Sequence, residues 1–374
     1  MDYVISTRFD ILIKYYYVKS IIEDIKTNFF YKLYKLHIDT FNKNYEHPGT
    51  KNNIKDFVDE FHKIIDSIQK NGYNNKYPIE IGNNNVLING SHRMATCLYL
   101  NINPKIEFKK DKGCETYHYD FFLNRNNYWR RDNEIYNSLD SIYTDFIALQ
   151  YIRLYKNSNV IVLYPKTKKY LKSINFDTII SQKAYIYYKK KIKLSQNGFK
   201  NLLKEMYRGE NWIGGFFPDN DRPQEKYDLC YNDNGEVIIY VVNFYNTNIQ
   251  NLVEIKSHFR SFFPLEKHSL HIPDTNFEAY RIASSLLNEN SINFLNNVNT
   301  GDFNSLTFKN IFNPSFYLNK NIPNEKFCFN SKISKLLKNE TKNKSEKIFT
   351  TVQDDDVVYN PLNHFYFNGF KFQN

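Results

Sequence analysis

The sequence predicts an α+β, multidomain protein, and three observations carry that expectation. A chain of 374 residues is long enough to bury more than one core. Its first third holds helical stretches followed by a strand, a hairpin, a helix and a strand. Its middle holds strands and helices in the order β-α-β-β-α-β, after which the pattern fades into a tract rich in Asn, Lys and Phe. The implied divisions are residues 1–123, a connector and helix over 124–157, a second α/β unit over 158–298, and a C-terminal subdomain or arm over 299–374.

Apolar residues recur every three to four positions over 11–25 and again over 54–68, the spacing of helices that bury one face. Between them, Glu46-His47-Pro48-Gly49-Thr50-Lys51 contains a Pro-Gly turn, which leaves Glu46 and Lys51 on a loop. Short strands over 78–81 and 86–88 flank the turn at 82–85, and a strand near 105–108 follows the helix that begins after Gly90. Residues 124–140 read as a polar connector leading into a helix over 139–155. In the second unit, strands over 160–164, 184–194, 237–244 and 269–272 alternate with helices over 196–207, 248–262 and 275–288. That order suggests a split βαβ, ferredoxin-like sandwich.

The formal net charge is +10, but the lysines are spread along the whole chain. A solvated basic surface is the first reading of that charge and a polyanion-binding surface, nucleic acid included, the second. Phosphorylated metabolites are acidic partners too. Cys97, Cys114, Cys230 and Cys328 have neither zinc spacing nor the look of a disulfide framework, which fits reduced cytoplasmic thiols. With no leader pattern and no apolar run of about 18 residues, the expectation is a soluble protein without an integral membrane segment.

The most informative segment is Ile88-Asn89-Gly90-Ser91-His92-Arg93-Met94-Ala95. An apolar strand stops at Asn89-Gly90 and a helical pattern starts, with Ser91 as the expected N-cap. A helix N-terminus offers free N–H groups and the positive end of its dipole, and His92 and Arg93 add donors. A phosphate site and a plain surface turn both satisfy the pattern. Further candidates are Arg8 and Asp10 as cleft-lining residues, and the loop holding Arg208, Glu210 and Trp212, whose arginine, acid and indole between glycines suit a grip on a sugar, base or phosphate. Asp354-Asp355-Asp356 reads either as a Mg²⁺ ligand group or as a solvated acidic turn.

The same eight residues resemble the signature turn of the ParB and sulfiredoxin-like superfamily, across roughly residues 5–122. That resemblance implies a nucleotide held through its phosphates by Asn89, Gly90, Ser91, His92 and Arg93, and one branch of the superfamily phosphorylates free serine. Ser91 stands where sulfiredoxins carry a reactive cysteine, which removes sulfinic-acid repair. Asn89 stands where the serine-kinase branch has aspartate, so an acid or base has to come from elsewhere. Glu46 is the candidate base and Lys51 the group that neutralises charge on a transferred phosphoryl. In the second unit, His268-Ser269-Leu270-His271-Ile272-Pro273-Asp274-Thr275 resembles the end of the nucleoside diphosphate kinase fold. On that resemblance His271 falls on the phosphoryl-carrying histidine, although Ile272 and Pro273 replace that family's Gly-Ser. The whole chain is also similar to multidomain proteins of bacterial capsule and surface-polysaccharide gene clusters.

The expectation is therefore a phosphotransferase (kinase) that uses ATP or another NTP with Mg²⁺ on a small hydroxylated metabolite or sugar, in a setting such as capsule synthesis. The alternatives are a glycosyl- or nucleotidyltransferase with a nucleotide-activated donor, and a nucleotide-gated ParB-like module that binds DNA or protein.

Overall fold

The computed structural model describes residues 8–25, 29–46, 48–83, 86–110, 112, 117–122, 133–215, 222–246 and 249–297, with short strands between 326 and 373. It is built of helices and small sheets, an α+β architecture. The chain divides into two compact units, Met1–Ile147 and Ala148–Asn374. The division falls inside one helix, Asn133–Leu154, which starts earlier than the polarity of residues 124–140 suggests.

In the first unit, helices α1 (Ile11–Ile22), α2 (Phe29–Asn42) and α3 (Ile54–Asn71) precede strand β1 (Ile79–Ile81), strand β2 (Leu87–Asn89), helix α4 (Ser91–Tyr99) and strand β3 (Ile106–Phe108). The sheet order is β2-β1-β3, with β1 antiparallel to β2 and parallel to β3. Helix α3 shows why local sequence makes local structure. Asn53 caps it by accepting from the N–H groups of Lys55 (2.9 Å) and Asp56 (3.2 Å), and Phe57, Phe61, Ile65 and Ile68 fall on one buried stripe. Helix α1 is different: Ile11, Leu12, Ile13, Tyr16, Tyr17 and Val18 are buried on several faces, so it runs through the core. Tyr17 stacks on Tyr34 with ring centroids 4.7 Å apart.

The helix Asn133–Leu154 is α5. In the second unit, β4 (Ser158–Leu163), α6 (Phe176–Ser181), β5 (Ala184–Lys193), α7 (Gln196–Met206), α8 (Gln224–Cys230), β6 (Glu236–Phe244), α9 (Ile249–Ser261), β7 (Leu270–His271), α10 (Asn276–Leu286) and α11 (Glu289–Asn297) follow in order. The sheet runs β5-β6-β4-β7 and every pair is antiparallel. A bulge interrupts the β5–β6 register between Ile186 and Tyr188. Alternate residues Ile161, Leu163, Ile238, Tyr240 and Val242 meet Phe176, Phe259 and Phe263 on one face of this sheet. Helix α10 packs on β4, and α11 on α7. The crossover from β4 to β5, a 3₁₀ segment at Pro165–Lys172 and then α6, is too short and polar to show as a helix in the sequence.

Of the last tract, two small sheets are described: β8 (Lys326–Cys328) parallel to β9 (Glu346–Ile348), and β12 (Phe370–Gln373) antiparallel between β10 (Thr350–Thr351) and β11 (His364–Phe367). The rest of residues 299–374, with Asp354, Asp355 and Asp356, lies outside the described residues. Among the described residues no helix is long and apolar enough to cross a membrane.

One glycine controls the entry into β6. Gly235 has φ +59°, and a Cβ there would lie 2.1 Å from the Leu194 carbonyl oxygen, a backbone atom that also marks the end of β5. Gly235→Ala is expected to cost about 2–3 kcal/mol through strain and overpacking, read as a lower urea midpoint with an unchanged slope.

Candidate functional site

Four segments of the first unit meet around Asp10. The Arg8 guanidinium donates from Nε to Asp10 Oδ1 (2.8 Å) and from Nη2 to Oδ2 (2.9 Å), a two-pronged pair, while Nη1 reaches the Leu87 carbonyl (3.0 Å). One turn into α1, the Lys14 ammonium donates to Asp10 Oδ2 and to Ser91 Oγ (2.9 Å). His37, from α2, brings Nε2 to 3.8 Å from Asp10 Oδ2, and its Nδ1 shares a hydrogen bond with the Tyr143 hydroxyl (3.0 Å). Arg8, Asp10, Lys14 and His37 are all at least 95% removed from solvent.

One carboxylate, Asp10, is shared by two cations, Arg8 and Lys14, in a place where water cannot screen the charges. Burial, followed by the nearby Arg8 and against the pull of Asp10, lowers the Lys14 pKa to about 8. Burial raises the Asp10 pKa, but Arg8 and Lys14 more than offset that, and it lies well below the usual carboxylate range. Burial, joined by the cations, holds His37 and His92 well below the ordinary imidazole value, so both rings are neutral at neutral pH.

The cluster touches a helix start through the Lys14–Ser91 bond. Gly90 occupies the N-cap position with φ +97°, and Ser91 is the first helical residue, which corrects the expectation that Ser91 caps the helix. A side chain at residue 90 would have to adopt a left-handed conformation and would crowd the Arg93 guanidinium, which is why glycine makes this turn. The first intrahelical bond is Met94 N to Gly90 O (2.8 Å), so the N–H groups of Ser91, His92 and Arg93 have no acceptor within the helix.

Several sequence candidates therefore converge. Arg8, Asp10, Ser91 and His92 share this corner, and His92 Nε2 bonds to the Tyr34 hydroxyl (2.9 Å) with Phe61 edge-on at 4.5 Å. The Pro48-Gly49 loop lies alongside: Lys51 adds to the field on His92 and Glu46 to that on Tyr34, while the two bond to each other at 2.7 Å. Arg93 faces another way, with Nη1 donating to the Tyr77 and Pro78 carbonyls, and Asn89 is an exposed strand end. The residues missed from the sequence are Lys14, His37 and Tyr34. A lysine four positions after Asp10, inside the apolar first turns of the helix, is the available signal for the first.

The second unit gathers its own group. Tyr207 lies edge-on to His271 (5.0 Å) and to Trp212 (4.9 Å), and its hydroxyl is 2.6 Å from that of Tyr164. Trp212 is 44% exposed on a 3₁₀ turn, in a loop closed by Gly209 N to Gly215 O (2.8 Å) and Gly215 N to Glu210 O (2.9 Å). Glu210 is exposed, and burial lowers the Arg208 pKa against the pull of Glu205. Comparison with family models, curated proteins and solved structures finds no match to this chain.

Proposed function

We propose that the chain is an NTP-dependent phosphotransferase acting on a small hydroxylated metabolite or sugar, with the nucleotide's phosphates seated on the start of α4. The observation that carries this reading is the buried Lys14 ammonium, held by Asp10 and bonded to Ser91 beside the first-turn N–H groups that have no acceptor within the helix. A phosphate there would accept from the Lys14 ammonium and the first-turn amides, and draw on the helix dipole. Lys51 stands where it can stabilise charge on a transferred phosphoryl, and Glu46 is the carboxylate available to take the acceptor's hydroxyl proton once it leaves Lys51. Such a site acts mainly by positioning and charge stabilisation.

Mg²⁺ finds no ready protein cage at this turn. Both Asp10 oxygens are engaged by Arg8 and Lys14, and no group of three or more His, Cys, Asp or Glu suited to a metal occurs among the described residues. In the second unit, the all-antiparallel order β5-β6-β4-β7 supports the split βαβ, ferredoxin-like reading, and the strand–helix–strand context of Gly90 supports the ParB-like reading of the first.

Titration calorimetry with ATP and Mg²⁺ tests the proposal. Lys14→Met is expected to weaken ATP binding about 10- to 100-fold, the worth of a charge-assisted hydrogen bond to an anion, and to abolish ADP release in the presence of an acceptor. Equal ATP affinity in the variant and the parent would sink the assignment, and binding without ADP release would favour a glycosyl- or nucleotidyltransferase.

A further inference from the structure

Two cations of the second unit, Lys226 and Arg260, stand close to the same rings with no carboxylate paired to either among the described residues. Lys226, on α8, sits over two tyrosine rings, with Nζ 5.4 Å from the Tyr164 centroid and 5.6 Å from that of Tyr207. Its ammonium bonds to the Lys267 carbonyl (2.9 Å) and approaches His268 Nδ1 (3.3 Å), neither of which carries a negative charge. Burial lowers its pKa. Arg260, in the last turn of α9, acts electrostatically on Tyr164, Tyr207, Lys226 and His271, and its Nε is buried without a hydrogen-bond partner. Neither cation forms an ion pair with a carboxylate among the described residues.

Two other cations face His271, and both are already matched: Lys256 is paired with Asp274, and Arg281 with Glu205. The imbalance is thus local to Lys226 and Arg260. Half-buried cations without counter-charges are costly, and they are tolerated where an anion completes the site. Burial, then the surrounding cations, keep His271 neutral, so it adds no charge and can donate or accept one hydrogen bond. On the rim, Trp212 presents nearly half of its surface beside Tyr207, with Glu210 exposed two residues before it. An exposed indole suits the C–H face of a pyranose, and a carboxylate on the same loop suits its hydroxyls.

We infer that the second unit binds a sugar phosphate, its phosphate between Lys226 and Arg260 beside His271 and its sugar ring against Trp212. The inference stands on residues of the second unit alone, so it holds or fails independently of the nucleotide site proposed for the first. It names a ligand with one compact dianion and a saturated ring, in place of a nucleoside with its flat base.

Trp129 and Trp212 are the two tryptophans of the chain, so the full-length Trp129→Phe protein carries a single indole reporter at the proposed site. Titration with glucose 1-phosphate is expected to change its emission saturably, at concentrations at least tenfold below those at which inorganic phosphate or glucose has the same effect. Lys226→Met and Arg260→Gln, each introduced into that background, are expected to weaken the response tenfold or more, with unchanged circular dichroism showing that the fold is kept. Sulfate at high concentration should displace the ligand in the parent, an outcome that needs no second variant. An emission that does not respond to glucose 1-phosphate, or responds equally well in the folded Lys226→Met protein, would overturn the inference. So would ATP proving the tighter ligand by the same signal.

Discussion

Asp10→Asn is expected to remove about 3–5 kcal/mol of stability at neutral pH, the cost of breaking a buried ion pair by deleting one partner. Arg8 and Lys14 would then face each other without the carboxylate that holds them, both more than nine-tenths buried. Lys14→Met should behave in the opposite sense. It leaves the Arg8–Asp10 pair neutral and bonded in both prongs, and it removes a cation whose native pKa is about 8 against an unfolded value near 10.4. A lysine with a lowered native pKa destabilises the fold below pH 8, and the penalty fades as pH rises from about 8 to about 10.5. Asp10 has the other sign: its native pKa is depressed, so its contribution is present above about pH 4 and is lost as pH falls through the native value. Urea melts of the three proteins at pH 7 check the ordering Lys14→Met at or above the parent, and Asp10→Asn far below it. Equal midpoints for Asp10→Asn and the parent would show that the cluster is not sealed from water.

A loss of similar size, again about 3–5 kcal/mol, is expected for Glu205→Gln in the second unit. Glu205 Oε1 accepts from Arg281 Nη1 at 2.9 Å, the same nitrogen donates to the Glu205 carbonyl, and both side chains are buried. Arg208 draws on the same carboxylate. The amide would take the carboxylate charge away from two neighbouring guanidinium groups. Replacing Glu205 and Arg281 together with methionine should cost much less than the sum of the single changes, since both the charge and its partner are gone. Thermal unfolding of the two single variants and the double variant measures that coupling.

The elements that could be read from the sequence are those in which one physical rule dominates. In α3 the cap, the acidic first turn and the apolar stripe agree, and in β6 a run of β-branched residues crosses a core wetted on neither face. The elements that escaped are short and supported by tertiary contacts: the 3₁₀ segment after β4 is fixed by Thr167 Oγ1 donating to the Ser269 carbonyl (2.6 Å), 102 positions away. The same distinction applies to the candidate site. Gly90 and Ser91 declare themselves because strand, turn and helix start are local signals. Lys14 does not, because its meaning depends on Ser91, 77 positions later, and on a carboxylate already claimed by Arg8. Arg93 looked like a ligand for the same turn, yet a long side chain at a helix start can reach backward, and the Tyr77 and Pro78 carbonyls offered acceptors there.

The bulge in β5 bears on how the protein behaves in a crowded solution. β5 is an outer strand of the four-stranded sheet, ten residues long, and the outer row of such a strand is the kind of template another chain pairs with. The misregister at Ile186/Tyr188 bends that row, and Lys189, Lys190, Lys191 and Lys193 follow on the same strand. An incoming strand would have to match a kinked ladder and stack its own backbone against four ammonium-bearing positions. The edge is therefore a poor template for fibril growth, and the chain can keep a long, tyrosine-rich strand at its margin without recruiting copies of itself.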